Sequence, residues 1–414
     1  MKLKIKTLRV LLEYFLAFIL LLDCRSVWLY LSGIQEWMPG ILAFALLLAV
    51  IGLCLCNPKN AKRRQAQKWM LLAAGSAVYM AGYFFLKPGT PFSLLKLYAA
   101  FLLAITYSYL AQPQNSSPFS LLLCYKNIVL CLAGLSLILW FFGPVTGLLP
   151  ATSLVYDSWG GGVRPLQSYF HLFYAETRGY SFLGLSLQRN IGFFTEAPMH
   201  SLHLSLALLT ELFLTEKPDK KRCILLIVTI VTTISMTGYI LVLLAMGYHL
   251  FLAKRKESNR EAAKKILLFP VGAAVAAVAY QLVLAKLETS SGSTRLDDFQ
   301  AGFQAWSQNW LLGNGYGNTE VLVQYMSSFR LYNTGFSNSP MLVLAQCGLY
   351  IGGVYLFGLI RGCLVGIRRR DWKLTGFTAL TAYLFLLTSF PYTYLAVFLI
   401  CLLNLAGSGR RRCV

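Results

Sequence analysis

Residues 39–68 read PGILAFALLLAVIGLCLCNPKNAKRRQAQK, and this stretch decides what kind of protein the chain forms. Residues 39–56 are an apolar run close to the length of about 20 residues that an α-helix needs to cross the hydrocarbon core of a bilayer. The part from Lys59 to Lys68 is rich in lysine and arginine and has no acidic residue. Such basic segments next to membrane helices lie preferentially in the cytoplasm. The stretch therefore predicts a membrane-spanning helix followed by a cytoplasmic loop.

The composition of the whole chain supports the same class of protein. The chain has 414 residues, of which 57% are hydrophobic and only 13% charged, so it is far more apolar than a soluble core of this length requires. Its net charge of +21 would indicate nucleic-acid binding if the basic residues shared one surface. They lie instead between apolar runs, so the charge reflects membrane topology and no nucleic-acid partner is expected.

The pattern of apolar runs and basic gaps predicts an all-α polytopic membrane protein with about twelve membrane-spanning helices. Both termini are expected in the cytoplasm, and residues 1–414 form one integral membrane domain. The segment 223–253 is interpreted as a hairpin broken near Ser235, because a single crossing would export one of its two flanking basic clusters. The predicted spans lie near residues 9–31, 39–56, 69–87, 91–111, 122–147, 196–214, 223–253 (two spans), 266–285, 340–360, 374–390 and 391–407.

Two long outer loops, residues 143–195 and 286–338, are rich in aromatic residues and are expected to be ordered, with short interfacial helices. In the second loop an apolar stripe recurs at steps of three and four residues, which predicts an amphipathic helix on the membrane surface. Asp297 and Asp298 would lie on its polar face. Thr294 is a candidate N-cap, which would place Arg295 in a first turn that attracts anions. The stripe consists of Leu296, Phe299, Phe303, Trp306 and Trp310.

In the first loop, the run SLQRNIGFFTEAPMHSLHL at residues 186–204 predicts the start of a helix at the outer membrane surface. Thr195 is a candidate cap and Pro198 suits the first turn. Arg189 and Glu196 could serve function, or Arg189 could snorkel while Glu196 complements the helix dipole.

Other motifs point to structure rather than chemistry. His200 and His203 lie one turn apart, but no third ligand is evident, so no metal site is expected. The glycines in LLGNGYGN, residues 311–318, predict a sharp turn rather than a dinucleotide loop, because no strand precedes them. The ten cysteines indicate no disulfide framework.

These features together resemble the bacterial O-antigen and capsular-polysaccharide repeat-unit polymerases, which share a superfamily with the O-antigen ligases. The resemblance is in the topology and in four local motifs. The motifs are RNIGFFTEAP, ISMTG, RLDDFQAGFQAWSQNWLLGNGYGN and SNSPMLVLAQCGLYIGG. The resemblance implies a GT-C-like multi-pass fold in the bacterial cytoplasmic membrane and a polyprenyl-diphosphate-linked glycan as both donor and acceptor.

The resemblance also implies roles for individual residues. Arg189 and Arg295 would hold the diphosphate, and Glu196 is the first candidate to orient or deprotonate the acceptor hydroxyl. Where ligases carry a His-Asn pair, this chain has Ser337 and Asn338, which favours a polymerase. The further outer-loop residues predicted to bind substrate are Arg164, Arg178, Trp306, Tyr316 and Asn338. No cofactor is expected, and a chain-length regulator and a flippase are the implied protein partners.

Two alternative functions remain at this point. An O-antigen ligase would use the same donor and fold with a different acceptor. A transporter, including a lipid-linked oligosaccharide flippase, would also have about twelve spans, but it would often show repeated halves and helices broken at mid-membrane. The sequence shows no internal repeat. If the chain is a transferase, Arg189 and Arg295 are expected to converge on one outer site.

Overall fold

A computed structural model of the chain describes residues 2–31, 34–56, 63–91, 93–112, 117–157, 163–177, 179–182, 185–251, 290–330 and 334–405. This part of the chain is mainly helical. Its helices are α1 (Lys2–Asp23), α2 (Met38–Leu55), α3 (Arg63–Leu86), α4 (Leu94–Thr106), α5 (Ser120–Trp140), α6 (Ala197–Leu209), α7 (Lys220–Thr232), α8 (Met236–Phe251), α9 (Ser290–Gln308), α10 (Glu320–Val323), α11 (Ser339–Arg368), α12 (Trp372–Leu387) and α13 (Tyr394–Leu405). π-Helical turns continue α4 to Ala111, α5 to Val145 and α6 to Leu214.

Five helical segments are long and apolar enough to cross a membrane: Met38–Leu55, Gln65–Leu86, Leu94–Ala111, Ser120–Val145 and Ser339–Arg368. Their outward faces are apolar as well. On α3, for example, Leu71, Val78 and Phe85 are 75%, 73% and 86% exposed. A soluble monomer rarely exposes such a continuous apolar surface, so these faces are suited to lipid.

The predicted helical spans correspond in large part to the observed helices. The break in the segment 223–253 is confirmed, since α7 ends at Thr232 and α8 begins at Met236. Helices α8, α12 and α13 are apolar but shorter than the five long segments. The predicted span 266–285 lies outside the described residues, so the number of twelve spans stays a prediction.

Helix α6 lies at the centre of the bundle. Nearly all of its residues are buried, and it packs against α5, α7 and α8. Helix α1 packs against α2 and α5, while α11 packs against α9, α12 and α13. The N-terminal end of α6, which carries the RNIGFFTEAP motif, is therefore surrounded by other elements of the fold.

The first outer loop contains β-structure, so the expectation of short helices there is wrong, and the all-α description does not extend to this loop. Strands β1 (Ser153–Asp157), β2 (Arg164–Tyr169) and β3 (Phe173–Glu176) form an antiparallel sheet in that order. Strands β4 (Tyr180–Phe182) and β5 (Leu185–Leu187) pair with each other. The β2–β3 turn has positive φ at Phe170 and His171. Hairpin turns are usually recognised in a sequence by Asn-Gly or Asp-Gly, and neither pair is present here. Short strands joined by such a turn give little sequence signal.

Helix α11 is interrupted in its N-terminal third. Gly348 has φ 61° and ψ −164°, which breaks the helical hydrogen-bond ladder. Residues 310–315 lie in this break and exchange four backbone hydrogen bonds with residues 345–350, with N···O distances of 2.8–2.9 Å. The predicted turn at LLGNGYGN is confirmed, because Gly313, Gly315 and Gly317 all have positive φ. The second outer loop is thus fixed to the broken helix by its backbone.

Candidate functional site

The turn between α7 and α8 forms the base of the candidate site. Ile234 in this turn has φ 49°, a conformation that is unfavourable for a β-branched residue. Arg189 supports the turn, because its Nε donates to the Thr233 carbonyl at 3.0 Å and its Nη2 to the Ile234 carbonyl at 3.4 Å. The neighbouring Asn190 donates its backbone N–H to the Thr232 carbonyl at 3.0 Å. Arg189 is therefore held at a strained turn between two helices of the bundle.

Arg295 lies on α9 and contacts the beginning of α8, directly after this turn. Its Nη1 donates to the Thr237 hydroxyl at 2.9 Å, and the hydroxyl of Tyr383 donates to the Thr237 carbonyl at 3.1 Å. The expected position of Arg295 in a first helical turn is wrong, because α9 already includes Ser290 and Thr294 is not its N-cap. Arg295 is thus placed by its side-chain contact with the hairpin rather than by a helix N-terminus.

The two arginines bind neighbouring residues of the hairpin formed by α7 and α8. Arg189 binds Thr233 and Ile234 in the turn, Arg295 binds Thr237 in the first turn of α8, and the charge of Arg189 acts on Arg295. Burial lowers the pKa of the Arg295 guanidinium; Tyr383, Glu196 and Asp298 oppose this shift, while the charge of Arg189 adds to it. Arginine stays protonated in proteins, so this region holds two fixed positive charges. Such a pair has the charge and donor geometry to bind phosphate oxygens.

Glu196 is the N-cap residue of α6, the position predicted for Thr195. Its extended backbone, with φ −153° and ψ 153°, begins the helix, but its side chain makes no cap hydrogen bond. Pro198 lies in the first turn as predicted. The Glu196 Oε1 instead accepts a hydrogen bond from Arg25 Nη1 at 2.9 Å. The negative charge of Glu196 also acts on Arg295, so the carboxylate belongs to the same outer cluster.

Arg164 connects the sheet to the start of α6. Its Nε lies 3.0 Å from Asp157 Oδ2, its Nη1 lies 3.9 Å from Glu176 Oε1, and its Nη2 donates to the Thr195 carbonyl. Burial raises the pKa of Asp157, and the charge of Arg164 opposes this shift. Arg164 is therefore engaged by carboxylates of the sheet. Arg178 lies outside the described residues.

The other predicted substrate-binding residues make structural contacts. The Asn338 Oδ1 accepts from the Met341 backbone N–H at 3.0 Å and caps α11. The Tyr316 ring packs edge-on against Tyr392 at 4.9 Å, and Trp306 Nε1 donates to the Trp310 carbonyl at 2.8 Å. None of these contacts involves Arg189, Arg295 or Glu196.

The amphipathic pattern predicts that Asp297 and Asp298 lie on an exposed polar face of α9. This prediction is wrong. Both are buried, and both accept from Arg330 Nη1, at 3.2 Å for Asp297 and 2.8 Å for Asp298. Asp298 also accepts from the Ser337 hydroxyl at 2.6 Å. The apolar stripe on the opposite side is mostly exposed: Leu296, Phe299, Phe303 and Trp310. The stripe is thus available to the membrane surface, while the carboxylates hold the loop together.

His200 and His203 have separate partners. His200 Nδ1 lies 3.3 Å from the Asn190 carbonyl oxygen, and His203 Nε2 lies 3.4 Å from the Cys24 carbonyl oxygen. The His203 ring also stacks on Phe194 at 4.2 Å. Within the described ranges, no group of three His, Cys, Asp or Glu side chains is arranged to hold a metal ion.

The sequence reasoning missed several residues of the site. Arg25 is recognisable in the sequence as a charged residue of the first predicted span, which could mark an ion path or simply snorkel, but the sequence does not assign it to this site. Thr237 lies in the motif ISMTG, to which the resemblance assigns no role, and Tyr383 gave no signal, since tyrosine is not unusual near the end of a membrane helix. They enter the site only because the folded bundle brings α8 and α12 next to α9.

No protein-family model matches the chain, and no curated protein matches it.

Proposed function

We propose that this chain is a glycosyltransferase that polymerises polyprenyl-diphosphate-linked oligosaccharide repeat units into a surface polysaccharide, O-antigen or capsule. The reaction would take place on the outer face of the bacterial cytoplasmic membrane. One observation carries the proposal: Arg189 binds the α7–α8 turn and Arg295, from the other predicted outer loop, binds Thr237 at the start of α8, close enough to Glu196 to be influenced by its charge. The resemblance of the surrounding motifs to the repeat-unit polymerases supports it.

The proposed chemistry follows from these three side chains. An acceptor sugar hydroxyl attacks the anomeric carbon of the donor, while the bond from that carbon to the diphosphate oxygen breaks. The electron pair leaves with the polyprenyl diphosphate, and Arg189 and Arg295 stabilise the charge that develops there. The hydroxyl proton passes to the Glu196 carboxylate and from there to the outer solvent. The reaction needs no redox partner and no second nucleophile.

The proposed topology has about twelve spans with both termini in the cytoplasm. In this arrangement the basic residues between α6 and α7 face the cytoplasm, and the two arginine-bearing loops face outward. The exposed aromatic stripe of α9 would rest on the outer membrane surface, where a polyprenyl carrier presents its diphosphate. This topology places the proposed site where a lipid-linked substrate arrives after export.

Glycan chain length tests the proposal. A deletion strain is complemented with the wild-type chain, Arg189→Ala or Arg295→Ala at matched expression, and the glycan is resolved as a gel ladder. We expect either substitution to collapse the ladder to single units, because loss of one electrostatic stabiliser costs on the order of 10²–10³ in rate.

Arg361→Ala is the matched control for this experiment. The Arg361 Nε donates to the Asn404 carbonyl at 3.0 Å, which is the same contact that Arg189 makes with Thr233. Arg361 lies on the other half of α11, away from the outer loops, so its loss should leave the ladder long. Long chains in both Arg189→Ala and Arg295→Ala would contradict the proposal. A ligase is distinguished in the same experiment, since losing a ligase leaves long chains on the carrier lipid.

Transport is the second candidate, and the break in α11 favours it, because transporters often use broken helices at their binding sites. The break at Gly348 is filled by residues 310–315, whose backbone groups satisfy those of residues 345–350. In a transport site, however, such backbone groups would be unpaired and available for the substrate, so the filled break argues against this role. Accumulation of single lipid-linked units on the cytoplasmic face of the deletion strain would nevertheless support a flippase over a polymerase.

A further inference from the structure

Arg25 is held next to Glu196 by the backbone as well as by its side chain. It follows α1 and adopts φ 58°, a left-handed conformation that is uncommon for a residue other than glycine. The carbonyl of Arg25 accepts from the Thr195 N–H at 3.1 Å, and the Val27 N–H donates to the Phe193 carbonyl at 2.8 Å. The residues after α1 thus run along the segment that leads into α6. This arrangement directs the Arg25 side chain to Glu196, the residue immediately before α6.

The ion pair leaves half of the Glu196 carboxylate available. Oε1 accepts from Arg25 Nη1 at 2.9 Å, whereas within the described part of the chain no hydrogen bond reaches Oε2. The side chain of Glu196 is 27% exposed and that of Arg25 is 15% exposed. A carboxylate fixed by one oxygen and open at the other is suited to accept a hydrogen bond from an incoming hydroxyl. In Glu196, Oε1 is therefore held by Arg25, and Oε2 is the oxygen that a ligand could reach.

We propose that Arg25 is a positioning residue for the acceptor: it holds Glu196 by Oε1 so that Oε2 receives the hydroxyl of the acceptor sugar. This inference rests on the proposed glycosyl transfer and adds an acceptor subsite to it. The left-handed backbone at Arg25 is unfavourable by itself. It is maintained by the surrounding contacts that also give the side chain this orientation. Donor binding at Arg189 and Arg295 and acceptor orientation at Glu196 and Arg25 are then separate tasks of adjacent residues.

Two measurements separate these tasks. The first is binding of undecaprenyl diphosphate to the purified full-length protein, and the second is the glycan ladder in the complemented deletion strain. We expect Arg25→Gly and Glu196→Gln to bind undecaprenyl diphosphate within about twofold of wild type while polymer formation falls roughly a hundredfold. Arg25→Gly removes the side chain yet suits the positive φ, so backbone strain does not explain its effect. Arg25→Lys should restore part of the polymer formation.

Arg9→Ala is the matched control. Arg9 Nη2 lies 2.8 Å from Glu13 Oε1, and its side chain is also 15% exposed, but this pair lies near the middle of α1, away from Arg25. Losing it should leave both measurements at the wild-type level. Normal polymer formation in Arg25→Gly would overturn the inference.

The double substitution Arg25→Glu with Glu196→Arg distinguishes positioning from a purely structural ion pair. It should restore the thermal unfolding midpoint relative to Arg25→Glu alone, but it should not restore the ladder, because the carboxylate is then on the wrong residue. A restored ladder would overturn the inference and leave the proposed function intact. A wild-type chain that neither binds undecaprenyl diphosphate nor forms a ladder would instead overturn the proposed function itself.

Discussion

Individual charged residues in the predicted outer loops have two different roles. Arg189 donates to backbone carbonyls of the α7–α8 turn, and Arg295 donates to the Thr237 hydroxyl at the start of α8. Arg330 is buried, with 2% of its side chain exposed, and is bound by Asp297 and Asp298. A buried cation with two carboxylates is a structural group, because it has no room and no net attraction for an anionic substrate.

The structural role of Arg330 predicts a stability effect. Arg330→Ala would leave two buried carboxylates without their cation, and breaking a buried pair of this kind costs about 3–5 kcal/mol. We expect a lower thermal unfolding midpoint of the purified protein and faster proteolysis within residues 309–338. Arg368→Ala, at an exposed arginine of α11, should change stability by no more than about 0.5 kcal/mol. Unchanged stability and proteolysis in Arg330→Ala would contradict the role.

At the scale of elements, the outer loops are built by pairing with neighbouring elements rather than by independent folding. The first loop forms a sheet whose Asp157 and Glu176 bind Arg164, which in turn holds Thr195 before α6. The second loop inserts residues 310–315 into the broken helix α11. Each loop thus carries its arginine on a segment that is fixed to the bundle.

The break in α11 makes a prediction about Gly348. Its φ of 61° with ψ of −164° is accessible essentially only to glycine, and a methyl group there would overlap the backbone of Leu311. Gly348→Ala should therefore cost at least on the order of 1–3 kcal/mol and displace the loop that carries Trp310. The measurement is thermal unfolding of the detergent-purified chain.

Gly353→Ala on the same helix is the comparison. No atom lies within 4 Å of a methyl group added at Gly353, and alanine favours the helix by about 1 kcal/mol over glycine. This variant should be as stable as wild type or more so. Equal stability of the two alanine variants would show that the break at Gly348 is not required.

At the scale of the whole molecule, the distribution of basic residues predicts which side of the membrane each loop occupies. Lys217 and Gln308 are both exposed, but they lie on opposite predicted sides. In intact cells a membrane-impermeant maleimide should label Gln308→Cys above the wild-type background and should label Lys217→Cys only after permeabilisation. The reverse pattern would invert the topology, and with it the outer location of the proposed site.

The sequence by itself determined the mainly helical membrane class, the break between α7 and α8, and the choice of Arg189, Arg295 and Glu196 as candidates. These features depend on local composition: apolar length, basic flanks and charge in outer loops can each be read along the chain. The sequence could not show that Arg25 binds Glu196 across 171 positions, or that Asp297 and Asp298 turn inward to Arg330.

The tertiary structure decided those pairings, the sheet of the first loop and the insertion into α11. Each depends on which segments lie next to one another, and buried charges and strand edges take their partners from distant parts of the chain. Thr294 shows the limit at a single residue: its type suits an N-cap, but α9 begins before it, so Arg295 is positioned by Thr237 instead. A pattern of residue types identifies which groups can act, and only packing fixes the groups that they meet.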